Sequence, residues 1–220
     1  MAGSWEIRQQ HHQMILGILH TETTTMAWSL GFRNLQIPGQ IIPTTGCPFD
    51  HARNDIAKHF LSTPCEYLCY LDSDVIPPPD AYIRLMRHRL PIVSGIYCRR
   101  SHPAGVPVMM KPIGQWVTQY PTDKLFEVDV VGAGCLCIHR SVMERMQATP
   151  QRKAKRWFDW RVDEKGILPT EQCLSEDFSF CIRAKAEFGY RVMIDPSIMC
   201  KHVGLAEAGY GSFGPCVAIP

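Results

Sequence analysis

The chain has 220 residues, 45% hydrophobic, 10% aromatic and 20% charged, the range of a compact globular domain, which excludes disorder and collagen-like repeats. Its 23 Lys plus Arg against 21 Asp plus Glu leave a formal charge of +2, too little to drive sequence-independent binding to nucleic acid. No apolar run approaches the roughly 20 residues of a membrane helix, and the N-terminus has no apolar signal core, so the expected compartment is the cytoplasm.

The first apolar run, Met14 to Leu19, reads as a buried strand, and so does Tyr67 to Leu71 after the turn-like Ser62-Thr63-Pro64. Between them, Asp50 is placed to cap a helix in which Ala52, Ile56, Ala57, Phe60 and Leu61 recur at helical spacing. Pro77, Pro78 and Pro79 end the second strand region, Tyr82, Leu85 and Met86 mark another helix, and Pro91 leads into a strand from Ile92 to Tyr97. This alternation predicts an α/β fold, a mainly parallel sheet covered by helices. Phe126 to Ile138 reads as extended, and Ser141-Val-Met-Glu144 as a capping box opening a short helix. From Thr149 to Leu174 the chain is basic and aromatic without periodicity, which reads as a functional loop or lid. Ser175 is placed to cap a helix carrying Phe178, Cys181, Ile182 and Ala186, Gly189 closes it, and Tyr190 to Ile194 is a strand stopped at Asp195-Pro196. Residues 205–220 read as a mobile tail. No repeat or linker divides the chain, so a single domain is expected.

Ten cysteines include no C-x-x-C pair, and several lie inside apolar runs, as Cys69 does in YLCYL and Cys135 and Cys137 do in AGCLCI. Buried reduced thiols are expected in place of zinc or disulfides.

Asp72-Ser73-Asp74 stands where the strand Tyr67 to Leu71 ends. On an extended chain its two carboxylates point the same way and can share one hard cation, Mg²⁺ or Mn²⁺, completed by water and phosphate oxygens. Ligands of open α/β sheets bind beyond the carboxyl ends of the strands, where this pair sits. An acidic turn capping the next helix is the structural alternative. Glu176-Asp177, in the first turn of its helix, is likewise either a capping pair or a candidate base.

Read together, HARNDIAKHFLSTPCEYLCYLDSDVIPPPDAYIRLM, PIVSGIYCRR, VDVVGAGCLCIHRSVMERM and SEDFSFCIRAKAEFGYRVMIDPSIMCKHVG resemble, block by block and in order over residues 14–204, the GT-A glycosyltransferases, most closely the family 2-like enzymes. The resemblance implies a Rossmann-like GT-A domain that transfers a sugar from a nucleotide-diphosphate sugar to an acceptor hydroxyl of a glycan, lipid or protein. It makes residues 14–100 the nucleotide-sugar and metal half and 101–204 the acceptor and catalytic half. It assigns the metal, Mn²⁺ or Mg²⁺, to Asp74 and Asp72 with Ser73 as spacer, and His202 as third ligand. It makes Asp177, with Glu176 beside it, the catalytic base of an inverting reaction, and places Arg53 near the nucleotide. Arg99, Arg100 and Lys201 are further cations; Arg99 and Arg100, opening a loop, read as solvated surface. Gly132 and Gly134 would let the backbone approach a sugar ring, and Trp157 or Trp160 would stack on the acceptor.

Relatives continue from the first strand into a proline-containing nucleoside pocket, whereas this chain has Leu19-His-Thr-Glu-Thr. Thr21 and Glu22 therefore fall where the uracil or guanine of a UDP- or GDP-sugar would bind. Lys153, Lys155, Arg156 and Arg161 make the lid basic, suited to an acidic acceptor or peripheral contact with an anionic membrane. The chain is short for the family, so its acceptor surface is expected to come from the lid and tail and not from an appended transmembrane or acceptor domain. Alternatives are a retaining glycosyltransferase on the same fold, a sugar-phosphate nucleotidyltransferase, which the glycine-free His20 to Thr25 disfavours, and a non-catalytic carbohydrate- or nucleotide-binding module.

Overall fold

Every residue of β1 (Met14–Leu19) is buried, and alternate side chains feed opposite cores: Ile15 and Leu19 one, Met14, Leu16 and Ile18 the other. β3 (Tyr67–Asp72) repeats the split, with Leu68 and Tyr70 against Cys69 and Leu71. Strands apolar on both faces need cover on both faces. On one side, α2 (Phe49–Leu61), α4 (Arg140–Gln147) and α5 (Glu176–Phe188) bring Ile56, Phe60, Met143 and Phe180. On the other, α1 (Met26–Arg33) and α3 (Ala81–Arg87) bring Trp28, Tyr82 and Leu85. Gly17 lets α2 lie close, since a Cβ there would meet Ile56 side-chain carbons at 2.8 Å.

The computed structural model describes residues 13–19, 23–45, 47–100, 105–147, 156–162, 173–206 and 209–213. Its central seven-stranded sheet also contains β2 (Gly39–Thr44), β5 (Ile92–Ile96), β7 (Phe126–Val128), β9 (Cys135–His139) and β12 (Val192–Met199), in the order β2-β1-β3-β9-β5-β12-β7. β1, β2, β3, β5 and β12 run one way; β9 and β7 run against them. The chain is thus a mixed α/β domain with a mainly parallel, Rossmann-like sheet, as its alternating pattern predicts. Smaller pairings join β6 (Met109–Met110) to β8 (Val130–Val131) and β10 (Arg161–Val162) to β11 (Cys173–Leu174). β13 (Lys201–Ala206) lies between β4 (Val75–Ile76) and β14 (Gly209–Phe213).

Several local expectations change. Pro48, and not Asp50, is the N-cap of α2, and Asp50 is a buried first-turn residue. Ser141 does not cap α4: its N–H meets His139 Nδ1, and Glu144 pairs with Arg140 (3.2 Å). α1 and β2 lack the regular patterns that betray their neighbours. Gly31 lies within the helix, where a Cβ would meet Ile76 at 2.4 Å, and Pro43 is tolerated because β2 is an edge strand. Phe126 to Ile138 is broken in three: β7, β8 and β9. Pro196 does not stop β12, which bulges against β5 between Ile194 and Met199 and continues. The segment 205–220, expected as a tail, contains β14, paired antiparallel to β13; residues 214–220 lie outside the described residues. Cys65, Cys69, Cys135, Cys137, Cys181 and Cys200 are buried free thiols. Cys98, however, is disulfide-bonded, a tertiary pairing that sequence spacing does not reveal. No helix among the described residues is long and apolar enough to cross a membrane.

The β12 bulge carries β13 to the site and is pinned by buried Asp195. This carboxylate accepts from Ser197 N (2.9 Å) and lies 2.8 Å from His88 Nε2. Burial alone would raise the Asp195 carboxyl, but the bonds from Ser197 and the contact with His88 outweigh it and hold its pKa below the ordinary value. A depressed carboxylate adds stability above its unfolded pKa and loses it as pH falls through the folded one. Asp195→Asn should therefore cost about 1–3 kcal/mol at neutral pH, with a gap to wild type that narrows below about pH 4; thermal melts across pH measure it.

Candidate functional site

The carboxyl ends of β1 and β3 meet where Ser73 N donates to the Leu19 carbonyl (3.0 Å). Asp72 ends β3, and Ser73 and Asp74 form the turn into β4. The two acids are therefore brought together by a turn and not by strand alternation. Trp28 Nε1 holds this turn by donating to the Asp72 carbonyl (3.0 Å). Because β9 is antiparallel to β3, the residues before it, Ala133 and Gly134, reach the same edge, and Asp72 N donates to Gly134 O (3.3 Å).

Arg53 joins the two acidic motifs. From α2, its Nη2 donates to Asp72 Oδ1 (3.0 Å) and its Nε to Glu176 Oε1 (3.1 Å), with the side chain 3% exposed. Tyr70 fixes the same residue: its hydroxyl donates to the Arg53 carbonyl (2.7 Å), and its ring centroid lies 5.1 Å from the guanidinium. Burial would lower the pKa of Arg53, but Asp72, Glu176 and Asp177 around it more than offset this and raise it. Burial pushes the Asp72 carboxyl up; Arg53 draws it down, and Asp74 and Asp177 push it up again, leaving it above its ordinary value. Glu176 is raised too, by burial and then by Asp177, against the pull of Arg53. Four carboxylates thus crowd one sheet edge.

Asp177 stands at the start of α5, half-buried. Its Oδ1 accepts from Phe178 N (2.8 Å) and from the Ser175 hydroxyl, and its Oδ2 from Ala133 N (3.1 Å). Ser175 is the N-cap of α5 but spends its hydroxyl on Asp177, making no side-chain capping bond. Three donors orient a group with about four acceptor positions, leaving one on Oδ2 for a further proton donor. Glu176, by contrast, is turned inward to Arg53. It positions the guanidinium and is not placed to exchange a proton with substrate, which corrects its expected catalytic role.

His202 reaches the site because β13 pairs with β4, bringing His202 opposite Val75 while Val203 N donates to Asp74 O (2.7 Å). Its Nδ1 lies 2.6 Å from the Cys98 carbonyl. A carbonyl only accepts, so Nδ1 carries the proton, and Nε2 faces Asp74 Oδ1 at 3.4 Å. This is the backbone-fixed tautomer typical of a metal-binding imidazole. The donor set, two carboxylates and this nitrogen, suits a hard divalent ion. Its charge does as well: leaving His202 aside, Asp72, Asp74, Glu176 and Asp177 exceed the guanidinium groups of Arg53 and Arg100 by two. Among the described residues, however, no group of three or more His, Cys, Asp or Glu is already gathered as a metal site. Asp72 is turned to Arg53 and Asp74 to Arg100, whose Nη1 lies 3.0 Å from Asp74 Oδ2.

The remaining expected residues divide. Gly132 and Gly134 serve close packing inside the chain: a Cβ would meet Tyr97 Oη at 2.0 Å at Gly132, and the Tyr97 ring at 2.9 Å and Asp72 Oδ2 at 3.1 Å at Gly134. The space expected to admit a sugar ring is filled by Tyr97, whose hydroxyl accepts from Gly134 N (3.1 Å). Trp157 is a core residue, 1% exposed, donating to Met143 O (2.9 Å), so it cannot stack on an acceptor. Trp160 is 50% exposed. Arg99 lies over the Trp116 ring (4.7 Å), and Lys201 is exposed. Thr21, Glu22, Lys153 and Lys155 lie outside the described residues. Sequence reasoning missed three groups. Arg100 and Tyr97 carry no motif signal of their own, although both follow the end of the strand Ile92–Ile96 at the same sheet edge. Asn54, next to Arg53, is buried and accepts from Trp157 N (2.8 Å) and Phe158 N (3.2 Å), clamping that stretch of backbone against α2.

No protein-family model and no curated protein matches the chain. Among solved structures it is similar to the crystal structure of A197 from STIV, with a TM-score of 0.61 and 16% identity over 91% of this chain and 93% of that one. At this identity the likeness establishes the fold alone.

Removing one partner of a buried ion pair leaves uncompensated charge, so Arg53→Met should destabilise the protein by about 3–5 kcal/mol at pH 8. Asp72 and Glu176 already favour the protonated form more than ordinary carboxylates. Losing Arg53 raises both further, so the variant should regain stability relative to wild type as pH falls toward 5. Urea melts at the two pH values measure the gap; a pH-independent gap would contradict the charge bracket.

Proposed function

We propose that this protein is a divalent-metal-dependent glycosyltransferase of GT-A, family 2-like type, transferring a sugar from a nucleoside-diphosphate donor to an acceptor hydroxyl with inversion at the anomeric carbon. The reading rests on one observation: Asp72, Asp74 and His202, separated by up to 130 positions, converge with Arg53 and Asp177 at the carboxyl edge of β1 and β3. That edge is where open α/β sheets take nucleotide ligands.

Asp74 and His202 would hold Mn²⁺ or Mg²⁺, with Asp72 beside them. The ion supplies charge neutralisation for a diphosphate leaving group. The chain's own residues supply the rest. Arg53 keeps Asp72 ionised and in place against the repulsion of its acidic neighbours. Asp177 accepts the proton of the acceptor hydroxyl at the unused position of Oδ2 while Ala133 N, Phe178 N and Ser175 hold the carboxylate still. Such a positioned base contributes about 10²–10⁴ in rate. An inverting displacement needs no covalent protein intermediate, so a positioned base and a stabilised leaving group suffice.

Incubation with Mn²⁺ and a panel of UDP- and GDP-sugars, followed by assay of released nucleoside diphosphate and of the product anomer, tests the reading. Asp74→Asn should abolish metal-dependent release. Asp177→Asn should lower kcat by about 10²–10⁴ with Mn²⁺ affinity retained. Release that survives Asp74→Asn would refute the metal assignment, and a retained anomer would remove Asp177 as base.

A further inference from the structure

The two aspartates of the D-x-D turn carry different kinds of counter-ion. Asp72 is paired with Arg53, which is 3% exposed and also bound to Glu176. Asp74 is paired with Arg100, which is 46% exposed and, among the described residues, otherwise donates only a long bond, 3.3 Å, to the Val203 carbonyl. The Asp74 oxygens are divided: Oδ1 faces His202 Nε2 at 3.4 Å, and Oδ2 takes the Arg100 guanidinium at 3.0 Å.

We infer that Arg100 is an exchangeable counter-ion that occupies Asp74 in the cation-free protein and must yield it to a divalent ion, setting the affinity of the site. The inference rests on the metal-dependent reading above. An ion bound at about 2.1 Å from a carboxylate oxygen cannot share that carboxylate with a guanidinium in contact with it without like-charge repulsion. Arg53 is not the group that leaves, because its second partner, Glu176, would be stranded in the interior. Arg100 loses little, since its guanidinium is already half in water and exposed pairs are weak. The device keeps four crowded carboxylates partly neutralised until a cation arrives, and it makes weakly bound ions compete with a tethered one.

Mn²⁺ titration of the intact protein without nucleotide, followed by electron paramagnetic resonance of the free ion, tests this in wild type, Arg100→Ala, Arg100→Lys and Asp74→Asn. Arg100→Ala should bind Mn²⁺ about two- to fivefold more tightly, the range set by an exposed ion pair. Arg100→Lys should lie between it and wild type, and added KCl should narrow the difference by screening. Equal or weaker binding by Arg100→Ala, with binding lost in Asp74→Asn, overturns the counter-ion role and leaves the metal reading standing. No Mn²⁺ binding by any variant, or undiminished binding by Asp74→Asn, overturns both.

Discussion

The arrangement of this protein depends on a single buried guanidinium. Arg53 lies between Asp72, from the end of β3, and Glu176, from the start of α5, two residues 104 positions apart that it holds at 3.0 and 3.1 Å. Without it, the acids at this edge would face each other in a partly desolvated space, a costly state that proteins relieve by protonation or by moving apart. With it, two carboxylates stay ionised and fixed, while Asp74 and Asp177 remain within reach of solvent. The same helix supplies Asn54, whose carboxamide holds the Trp157–Phe158 backbone. One turn of α2 therefore sets both the acidic centre and the path of the Trp157–Phe158 backbone.

Backbone geometry does the rest of the positioning. β9 enters the sheet against its neighbours and so delivers Ala133 and Gly134 to Asp177 and Asp72. Tyr97, at the end of β5, fills the space over both glycines; burial first, and then the nearby Asp72 and Asp177, push its phenol well above the ordinary value. It is a neutral spacer that packs beside the acids without adding charge. The β12 bulge, held by Asp195, redirects the chain into β13 and so carries His202 to Asp74. Strands from both halves of the chain thus meet in one constellation, which a linear division into donor and acceptor halves does not convey.

The sequence by itself determined the layers and the edge at which chemistry is expected. Runs such as MILGIL and YLCYL are apolar at every position, which demands a strand covered on both sides. Acids placed just after such a strand fall at the carboxyl edge of a parallel sheet. Helical spacing in residues 52–61 was enough to put Arg53 and Asn54 on a core-packed helix. Only the tertiary structure decided how these residues pair. Periodicity specifies which face a side chain takes but not which distant group meets it. Glu176 therefore turns inward to Arg53 and Asp177 does not; Trp157 is core and Trp160 exposed; and Arg100, ordinary loop surface in the sequence, lies against Asp74. The reversal of β9 was illegible for the same reason: strand direction comes from hydrogen-bonding partners far along the chain, and a strand buried on both faces looks alike in either direction.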